Sequence, residues 1–449
     1  MFLEDNEENY AVSKFELMLR ENNTLFFDVD EFEDIVEYYI ENGRTHKAKR
    51  ALELGLSQHP TAVSLKLLYA EQLVFEDQLN EATQLLEELT HTEPLNAEVY
   101  VQKANLYSKL NKHRRAIELL EYAITLTDNV PSIFALIGME YLLIDEYANA
   151  RTYFRKSVEK DPQDYTSLQQ LLYCYEVLDE TQEAMSFLND YLDQNPYCEV
   201  AWYYLGRLYL SENDSKNAIR CFDFAIVSDD TFTGAYFEKA RVLETIGDYE
   251  RAIENYKITL TLDDPSALVY LHIGRCYEKM LNDEKAEIYY FKATHEDPQL
   301  DKAWITLADF YYLRRNHTKA LKYIQKVLTL EPNEPYYWRR YAEINYFQLH
   351  NLEEAEYGYR KAVQNGDYSY TALIDWVDLM FLTRQYGDAL PIIIDIVDIF
   401  PYELCNYYRL ALAYHGLGKE ELAYKYYQLG VQQVPEWQSF FESKFNFKM

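Results

Sequence analysis

Residues 199–232 read EVAWYYLGRLYLSENDSKNAIRCFDFAIVSDDTF, and this arrangement of large and small residues returns at a fixed interval along the chain. An alanine recurs every 34 residues on both sides of Ala218, with a slip of one residue that we assign to the turn around Leu349–Asn351. Self-similarity at such a period is the signature of a protein built from stacked repeats. The other alanines are Ala48, Ala82, Ala116, Ala150, Ala184, Ala252, Ala286, Ala320, Ala355, Ala389 and Ala423.

A second marker runs in phase with the alanines. Twelve residues after each alanine, the chain places a proline or an aspartate. Proline ends a helix because it cannot donate the next backbone hydrogen bond, so these positions predict the boundaries between repeats. The prolines are Pro60, Pro94, Pro162, Pro196, Pro298, Pro332, Pro401 and Pro435, and the aspartates are Asp128, Asp230, Asp264 and Asp367.

The quoted stretch also follows a known motif, W-x2-L-G-x2-Y…A-x3-F, which is formed by Trp202, Leu205, Gly206, Tyr209, Ala218 and Phe222. The chain resembles the tetratricopeptide repeat family over residues 29–437. The resemblance implies an all-α fold, a right-handed superhelical α-solenoid of antiparallel helix pairs in twelve tandem repeats. We expect the repeats to begin at Val29, Val63, Ala97, Pro131, Tyr165, Glu199, Thr233, Ala267, Asp301, Pro335, Tyr370 and Leu404.

Residues 1–28 precede the first repeat and are predicted to form a capping helix, because the end unit of a solenoid has one face without a neighbour. Tyr10, Phe15, Leu17 and Leu19 are the apolar residues expected on its packed face. Residues 1–45 contain 13 acidic and 3 basic residues. We interpret this excess as a solvated face, with a docking site for a basic partner as the alternative.

Residues 438–449 form the last segment, an aromatic C-terminal cap or tail. As a helix, it would place Lys444 on the same side as three of the aromatic residues that surround it. A cap on the last repeat is the first interpretation, and insertion into a partner or a second copy is the other. The aromatic residues here are Trp437, Phe440, Phe441, Phe445 and Phe447.

Charge and cysteine content bear on the compartment and on the class of partner. The formal net charge of −32 argues against binding of nucleic acid or of an anionic membrane through overall electrostatics. No apolar run approaches the roughly 18 residues of a membrane span. The five cysteines are far apart and form no C-x-x-C pair, which favours a reducing compartment. We therefore expect a cytoplasmic protein, and frequent Tyr, Asn, Lys and Ile favour a bacterial source.

The family resemblance implies that the first helices line a concave groove, with positions two, five, six, nine, twelve and thirteen of a repeat facing the ligand. Position nine is Arg207, Arg241 and Arg275 in three consecutive repeats. Arginine binds carboxylates in bidentate fashion, so we expect repeats six to ten to bind an acidic or carboxylate-ended peptide in extended form. Further residues at these positions are Tyr203, Tyr204, Phe237, His272, Lys302, Tyr312, Arg339 and Arg340.

A structural interpretation of the arginines stays open. Arg241 has Glu238 and Glu244 three residues away on either side, and Arg275 has Glu278, so carboxylates of the same helix could neutralise both charges. Loss of binding of an acidic partner on Arg241→Glu would favour the ligand-binding interpretation, and unchanged binding would favour the structural one.

No catalytic residues, metal ligands or cofactor motif stand out, since the sequence has no H-E-x-x-H, G-x-S-x-G or glycine-rich phosphate loop. The expected function is therefore a non-catalytic scaffold or adaptor that binds another protein or peptide, with no nucleic acid partner. The alternatives are a sensor or regulator that responds to a peptide, and a subunit that selects substrates for a separate enzyme. The sequence leaves the oligomeric state open.

Overall fold

The computed structural model describes residues 4–21, 25–348 and 350–444. Within these ranges every regular element is helical: 26 α-helices, one π-helix and one 3₁₀-helix, with no β-strand. The chain divides into two compact units, the first ending at Asp230 and the second beginning at Thr231. The all-α fold of repeated helix pairs that the sequence predicts is confirmed.

The first unit contains one helix followed by six pairs. Its helices are α1 (Glu4–Glu21), α2 (Val29–Glu41), α3 (Thr45–Gln58), α4 (Val63–Phe75), α5 (Leu79–Thr92), α6 (Ala97–Lys109), α7 (His113–Ile124), α8 (Pro131–Leu142), α9 (Tyr147–Lys160), α10 (Tyr165–Val177), α11 (Thr181–Gln194), α12 (Glu199–Ser211) and α13 (Ser215–Ser228).

The second unit contains six pairs followed by a short helix. Its helices are α14 (Thr233–Thr245), α15 (Tyr249–Leu262), α16 (Ala267–Lys279), α17 (Asp283–Glu296), α18 (Asp301–Leu313), α19 (His317–Leu330), α20 (Pro335–Glu343), α21 (Leu352–Gln364), α22 (Tyr370–Leu382), α23 (Tyr386–Ile399), α24 (Asn406–Gly416), α25 (Glu420–Gln433) and α26 (Gln438–Lys444). A π-helix, Ile344–Gln348, continues α20, and a 3₁₀-helix, Pro435–Trp437, precedes α26.

The repeat starts expected from the sequence are the first residues of the first helices in eleven of the twelve pairs. The exception is α24, which begins at Asn406 rather than at Leu404. Leu404 lies in a turn, where its carbonyl accepts a hydrogen bond from Tyr407 N at 3.2 Å. The helix therefore starts two residues later than the period predicts.

Small residues let the two helices of a pair approach closely. A Cβ atom on Gly206 of α12 would lie 2.7 Å from the ring of Phe222 on α13, and one on Gly274 would lie 2.5 Å from the ring of Tyr290. Ala218 is fully buried at the same helix contact. The glycine, the alanine and the following aromatic residue of the motif are thus three parts of one contact, since any larger side chain would clash.

The turn inside each pair has a recurrent backbone conformation. In the sixth repeat, Asn213 adopts the left-handed region at φ 60°, and Asp214 N donates to Tyr209 O at 2.8 Å. The Asp214 carboxylate then accepts from Asn217 N at 3.1 Å and caps α13. The end of the first helix and the start of the second are therefore both satisfied within a few residues.

The boundary prolines and the motif tryptophans are joined by hydrogen bonds. At each of three boundaries, the indole N–H at position four of a repeat donates to the proline carbonyl six residues earlier. The bonds are Trp202 to Pro196 (2.8 Å), Trp304 to Pro298 (3.0 Å) and Trp338 to Pro332 (2.7 Å). The motif tryptophan and the boundary proline are thus joined directly, because the indole N–H satisfies a proline carbonyl at the repeat boundary.

The one-residue slip is absorbed inside a helix, so its assignment to the turn around Leu349–Asn351 was wrong. The extra residue widens the end of the first helix of repeat ten into the π-helix Ile344–Gln348. Asn351 N donates to Asn345 O at 2.9 Å, a span one residue longer than in the other repeats, and residue 349 itself lies outside the described residues. The Asn345 amide donates to Tyr341 O at 2.9 Å, which keeps that carbonyl satisfied within the widened turn.

The N-terminal helix α1 packs on the first repeat through Phe15, whose ring centroid lies 5.9 Å from that of Phe27 and 6.1 Å from that of Tyr39. Tyr10 and Leu17 are exposed, so their expected place on the packed face was wrong. The helical period around Phe15 selects other residues instead. Among residues 10–21, the part of α1 whose side chains the structure describes, the buried ones are Ala11, Val12, Phe15 and Met18.

The C-terminal helix α26 contacts the last repeat through Phe441, which is buried and stacks on Tyr408 with ring centroids 5.3 Å apart. Trp437 and Phe440 contact Phe441 from the side and remain partly exposed. One aromatic side chain of this segment is therefore part of the core. Phe445, Phe447 and the side chain of Lys444 lie outside the described residues.

Candidate functional site

The positions expected to face a ligand share one groove in the first unit. A cavity of about 500 Å³ lies along α2, α4 and α6, the first helices of repeats one to three. Every residue that lines it occupies position two, five, six, nine, twelve or thirteen of its repeat. The lining residues are Glu33, Glu37, Ile40, Glu41, Ser64, Leu67, Leu68, Glu71, Glu98 and Gln102.

Position nine changes the sign of its charge along the chain. The first two repeats carry glutamate, the sixth to eighth carry arginine, and the ninth to eleventh carry aspartate or glutamate. In chain order the residues are Glu37, Glu71, Asn105, Met139, Tyr173, Arg207, Arg241, Arg275, Asp309, Glu343, Asp378 and Leu412. The sequence prediction of a binding surface rests on the three arginines, and it gives the acidic members on either side no ligand.

Among the candidate residues, Arg207, Tyr203 and Tyr204 lie on α12 of the first unit. The Arg207 guanidinium is exposed and lies 6.0 Å from the ring centroid of Tyr203 and 5.7 Å from that of Tyr204. Arg207 and Tyr204 line a cavity of about 200 Å³ that also includes Glu176 and Asp179. Within the part of the chain that the structure describes, no carboxylate lies within ion-pair distance of Arg207.

Arg241, on α14 of the second unit, is neutralised in part by its own helix. Its guanidinium pairs with Glu238 at 3.0 Å and remains about half exposed. Glu244, the other carboxylate considered for it, instead binds His272 Nδ1 and the Tyr256 hydroxyl, each at 2.8 Å. His272 hydrogen bonding is the main factor that lowers the pKa of Glu244 against the opposing effect of burial.

Arg275, on α16, has no such partner. Glu278, the carboxylate considered for it on its own helix, accepts from the Tyr290 hydroxyl at 2.5 Å and pairs with Arg314 at 3.0 Å. Among the described residues, no carboxylate lies within 4.0 Å of the exposed Arg275 guanidinium. The alternative in which the helix itself satisfies the arginines therefore holds for Arg241 and fails for Arg275.

Phe237, on α14, is half-buried and packs edge-on against Tyr256, with ring centroids 5.7 Å apart. It also meets His272 edge-on, again at 5.7 Å. Lys302 is exposed near the start of α18. The structure thus gives Phe237 a packing role beside Arg241 and leaves Lys302 accessible.

Arg340 is held by carboxylates of the fold. Its guanidinium pairs with Asp309 at 2.8 Å and with Glu343 at 2.6 Å, and it lies 5.1 Å from the ring centroid of Tyr312. Burial raises the pKa of both acids in spite of the nearby arginine. Arg340 is therefore engaged in neutralising two half-buried carboxylates, and Tyr312 packs against its cation.

Arg339 is engaged in the same way. It pairs with Asp367 at 3.2 Å and donates to the Ser369 hydroxyl at 2.9 Å, both in the turn that precedes α22. These contacts hold α20 against the boundary between repeats ten and eleven. Because the Arg339 guanidinium already has these partners, it is less available to bind a ligand carboxylate than the exposed guanidinium of Arg275.

Asp378 occupies position nine of repeat eleven but does not face a groove, contrary to the sequence expectation. Its carboxylate pairs in bidentate fashion with Arg409 of the next repeat, at 2.8 and 3.1 Å, and the two side chains are 3% and 4% exposed. The Arg409 guanidinium also lies 5.1 Å from the ring centroid of Phe441 on α26. An inner position can therefore be sealed by the neighbouring repeat.

The described residues contain no cluster of three or more His, Cys, Asp or Glu side chains arranged to hold a metal ion. The five cysteines are free and buried. Burial raises the pKa of the Cys174 thiol to about 11 and that of Cys221 and Cys276 to about 12, which disfavours the reactive thiolate. Over the described ranges, none of the helices has the length and apolar character needed to cross a membrane.

Comparison with family models gives three matches. Residues 36–253 match the tetratricopeptide repeat protein 21 N-terminal ARM repeat, and residues 301–344 and 406–432 match tetratricopeptide repeat models. The chain is a tetratricopeptide repeat protein. These matches fall in both units, so the tetratricopeptide repeats account for the helix pairs on each side of Asp230.

Curated relatives include the TPR repeat-containing protein YpiA of Bacillus subtilis strain 168, which is 23% identical over 81% of this chain and 86% of that protein. Anaphase-promoting complex subunit 3 of Schizosaccharomyces pombe is 26% identical over 37% of this chain and 25% of that protein. A solved tetratricopeptide repeat protein from Parabacteroides merdae is 15% identical over 56% of this chain and 98% of that chain, with a TM-score of 0.41.

Proposed function

We propose that this tetratricopeptide repeat protein is a non-catalytic scaffold that binds an acidic segment of a partner protein through position-nine arginines. In the second unit the binding residues are Arg241 and Arg275, with Phe237 and Lys302 beside them. In the first unit Arg207, with Tyr203 and Tyr204, forms a separate contact of the same chemistry. The repeat fold itself supports a role in protein interaction rather than in catalysis.

The observation that carries the proposal is that no carboxylate of the described residues lies within ion-pair distance of the exposed Arg275 guanidinium, which feels the charge of Glu244 only over a longer distance. Because the chain has a net charge of −32, an exposed arginine is expected to find a carboxylate of the same chain as its ion-pair partner. The carboxylate nearest in sequence, Glu278, is committed to Tyr290 and Arg314. A carboxylate from outside the chain would complete the pairing that the fold leaves open.

Arginine suits this role because its planar guanidinium donates two parallel hydrogen bonds to a carboxylate. Tyr203 and Tyr204 add rigid aromatic area under the Arg207 cation, which lowers the entropy lost when a ligand immobilises the side chain. An extended acidic segment would present carboxylates at the spacing of successive side chains. The arrangement therefore favours an acidic peptide over a small anion.

We also propose a cellular compartment for the protein, on the basis of its cysteines. All five thiols are free, buried and unpaired with one another, which supports a reducing compartment such as the cytoplasm. The Bacillus subtilis relative supports a bacterial source.

The proposal is tested with a short fluorescein-labelled peptide of glutamate, leucine and serine. Its Kd is measured by fluorescence anisotropy for the wild-type protein and for a triple variant, Arg207→Glu, Arg241→Glu and Arg275→Glu. Each reversal replaces an attraction of roughly 0.5–1 kcal/mol by a repulsion, so the expected loss of affinity is at least about 100-fold.

A matched control carries the same change of charge at exposed arginines elsewhere, namely Arg220→Glu, Arg315→Glu and Arg384→Glu. Circular dichroism establishes that both variants keep the helical content of the wild type. Binding that falls equally in the two variants would mean that overall charge, and not the position-nine arginines, attracts the peptide. Binding unchanged in the first variant would contradict the proposal outright.

A further inference from the structure

We propose that the groove of repeats one to three is a second docking surface, one that binds a basic and partly apolar segment of a partner protein. The groove lies wholly within the first unit, along α2, α4 and α6. It does not depend on the arginine surfaces described above, and its ligand has the opposite charge.

The shape of the groove is the first argument. The cavity has a volume of about 500 Å³, and every side chain around it comes from the ligand-facing positions of three consecutive first helices. Ile40, Leu67 and Leu68 supply an apolar wall, with Ile40 exposed. A cavity with a continuous apolar wall can take up side chains of several successive ligand residues.

The charge of the groove is the second argument. Five of the ten lining residues are glutamates, and none is a lysine or an arginine. Among the described residues, no cation lies within 4.0 Å of the carboxylates of Glu33, Glu37, Glu41 or Glu71. This contrasts with the glutamates just outside the groove. Glu31 pairs with Lys14 at 2.8 Å, and Glu76 is bonded to Lys49.

The unpaired glutamates of the groove make an unfavourable electrostatic contribution to the folded protein, and Glu71 is the example. Although Glu71 is exposed to solvent, partial desolvation of its carboxyl beside the groove raises the pKa of that group, and the charge of Glu98 raises it further. The Glu98 carboxylate accepts a hydrogen bond of 2.9 Å from the Gln102 amide, which is a neutral donor. A ligand ammonium or guanidinium group in the groove would relieve both effects.

Charge and shape together select the occupant. A lysine- or arginine-rich segment with interspersed leucine-like residues matches the five carboxylates and the apolar wall, whereas the same five carboxylates repel an acidic segment. A purely solvated acidic face would need neither a cavity nor an apolar wall. The occupant is therefore a basic, partly apolar segment of another protein.

The test uses a fluorescein-labelled peptide of lysine, leucine and serine, with a counterpart that has glutamate in place of each lysine. The groove variant is Glu37→Gln, Glu71→Gln and Glu98→Gln. Its Kd for the lysine peptide should rise by about tenfold, because three partly screened ion pairs are lost. The glutamate peptide should show no binding that depends on these three residues.

The matched control is Glu53→Gln, Glu81→Gln and Glu87→Gln, three exposed glutamates on the second helices α3 and α5. It makes the same change in net charge and should alter the Kd less than about twofold. Equal effects of the two variants would show attraction to the overall negative charge alone and would overturn the proposal.

A third variant tests the apolar wall. Ile40→Ser leaves the charge unchanged and should weaken binding of the lysine peptide by about threefold, through lost contact area. A lysine peptide in which serine replaces every leucine should lose this sensitivity. If Ile40→Ser binds both peptides as the wild type does, the groove is not the docking surface.

Discussion

The buried ion pair between Asp378 and Arg409 gives a stringent prediction about the second unit. Its two side chains are 3% and 4% exposed, and it joins the first helices of repeats eleven and twelve by two hydrogen bonds. Removing one partner from such a pair leaves an uncompensated buried charge, at a cost of about 3–5 kcal/mol. Asp378→Ala should therefore destabilise this end of the second unit by an amount of that order.

The magnitude converts directly into an observable. Because a repeat protein can unfold locally, amide hydrogen exchange of α22, α24 and α26 reports the effect better than a single melting temperature. A loss of 3–5 kcal/mol corresponds to roughly two to four orders of magnitude in protection factor, at 1.36 kcal/mol per factor of ten. Protection in α14 to α17, several repeats away, should change little.

A double variant, Asp378→Leu with Arg409→Met, removes both charges and fills the space with apolar groups. It should recover most of the protection, since replacing a buried pair by packed apolar residues is often close to neutral. The exposed pair of Arg155 and Glu159, on α9, is the control, and its removal should cost about 0.5 kcal/mol or less. Wild-type exchange in Asp378→Ala, or a double variant as unstable as the single one, would refute the reasoning.

Three further changes have defined outcomes. Gly274→Ala should destabilise the second unit by about 1–3 kcal/mol in urea unfolding, because the new Cβ lies 2.5 Å from the Tyr290 ring; stability equal to the wild type would contradict the close approach. Trp338→Phe should cost about 1 kcal/mol by removing the hydrogen bond to the Pro332 carbonyl, and no loss would mean that water or the Asn365 amide, which donates to the same carbonyl at 3.4 Å, replaces the indole fully. The raised pKa of Glu71 means that ionisation of this side chain opposes folding. Glu71→Gln should therefore have a higher Tm than the wild type at neutral pH and the same Tm below about pH 3, where both side chains are uncharged. A lower Tm of the variant at neutral pH would contradict the direction of the pKa shift.

The sequence predicts the architecture well because the features that define it are local. Ala218 and Gly206 mark a contact between two helices that are neighbours in the chain, and the same spacing repeats along both units. The start of α12 at Glu199 follows directly from the period. Each repeat contacts mainly its neighbours in a solenoid, so a correct period is enough to place most helices.

The charge partners are harder to predict because they come from other repeats. Arg340 pairs with Asp309, which lies 31 residues earlier, and Arg409 pairs with Asp378 at the same separation. Reasoning within one helix considers partners three or four residues away, which finds Glu238 for Arg241 and Glu343 for Arg340 but not the partners that come from another repeat. Opposite charges separated by slightly less than one period are the signal that would have revealed these pairs.

The sequence also contains a pattern that predicts the position of the π-helix. Tyrosine is common at position eleven of the repeats, and in repeat ten Asn345 occupies this position while Tyr346 follows one residue later. The displacement places the insertion before Tyr346, inside the helix. The packed face of α1 likewise follows the helical period around Phe15, which leaves Tyr10 and Leu17 outside it.

The central claim is that the inner surfaces of this protein bind charged segments and that the residue at position nine sets the sign of the ligand. The most direct measurement titrates the lysine peptide and the glutamate peptide, with different fluorophores, into one sample of the full chain. We predict that both bind at once, that Arg207→Glu, Arg241→Glu and Arg275→Glu together remove only the glutamate peptide, and that Glu37→Gln with Glu71→Gln weakens only the lysine peptide. The two peptides have opposite charges and also associate with each other in solution. Competition for the protein beyond the effect of that association would contradict the claim. Equal weakening of both peptides by the arginine variant or by the glutamate variant would contradict it as well.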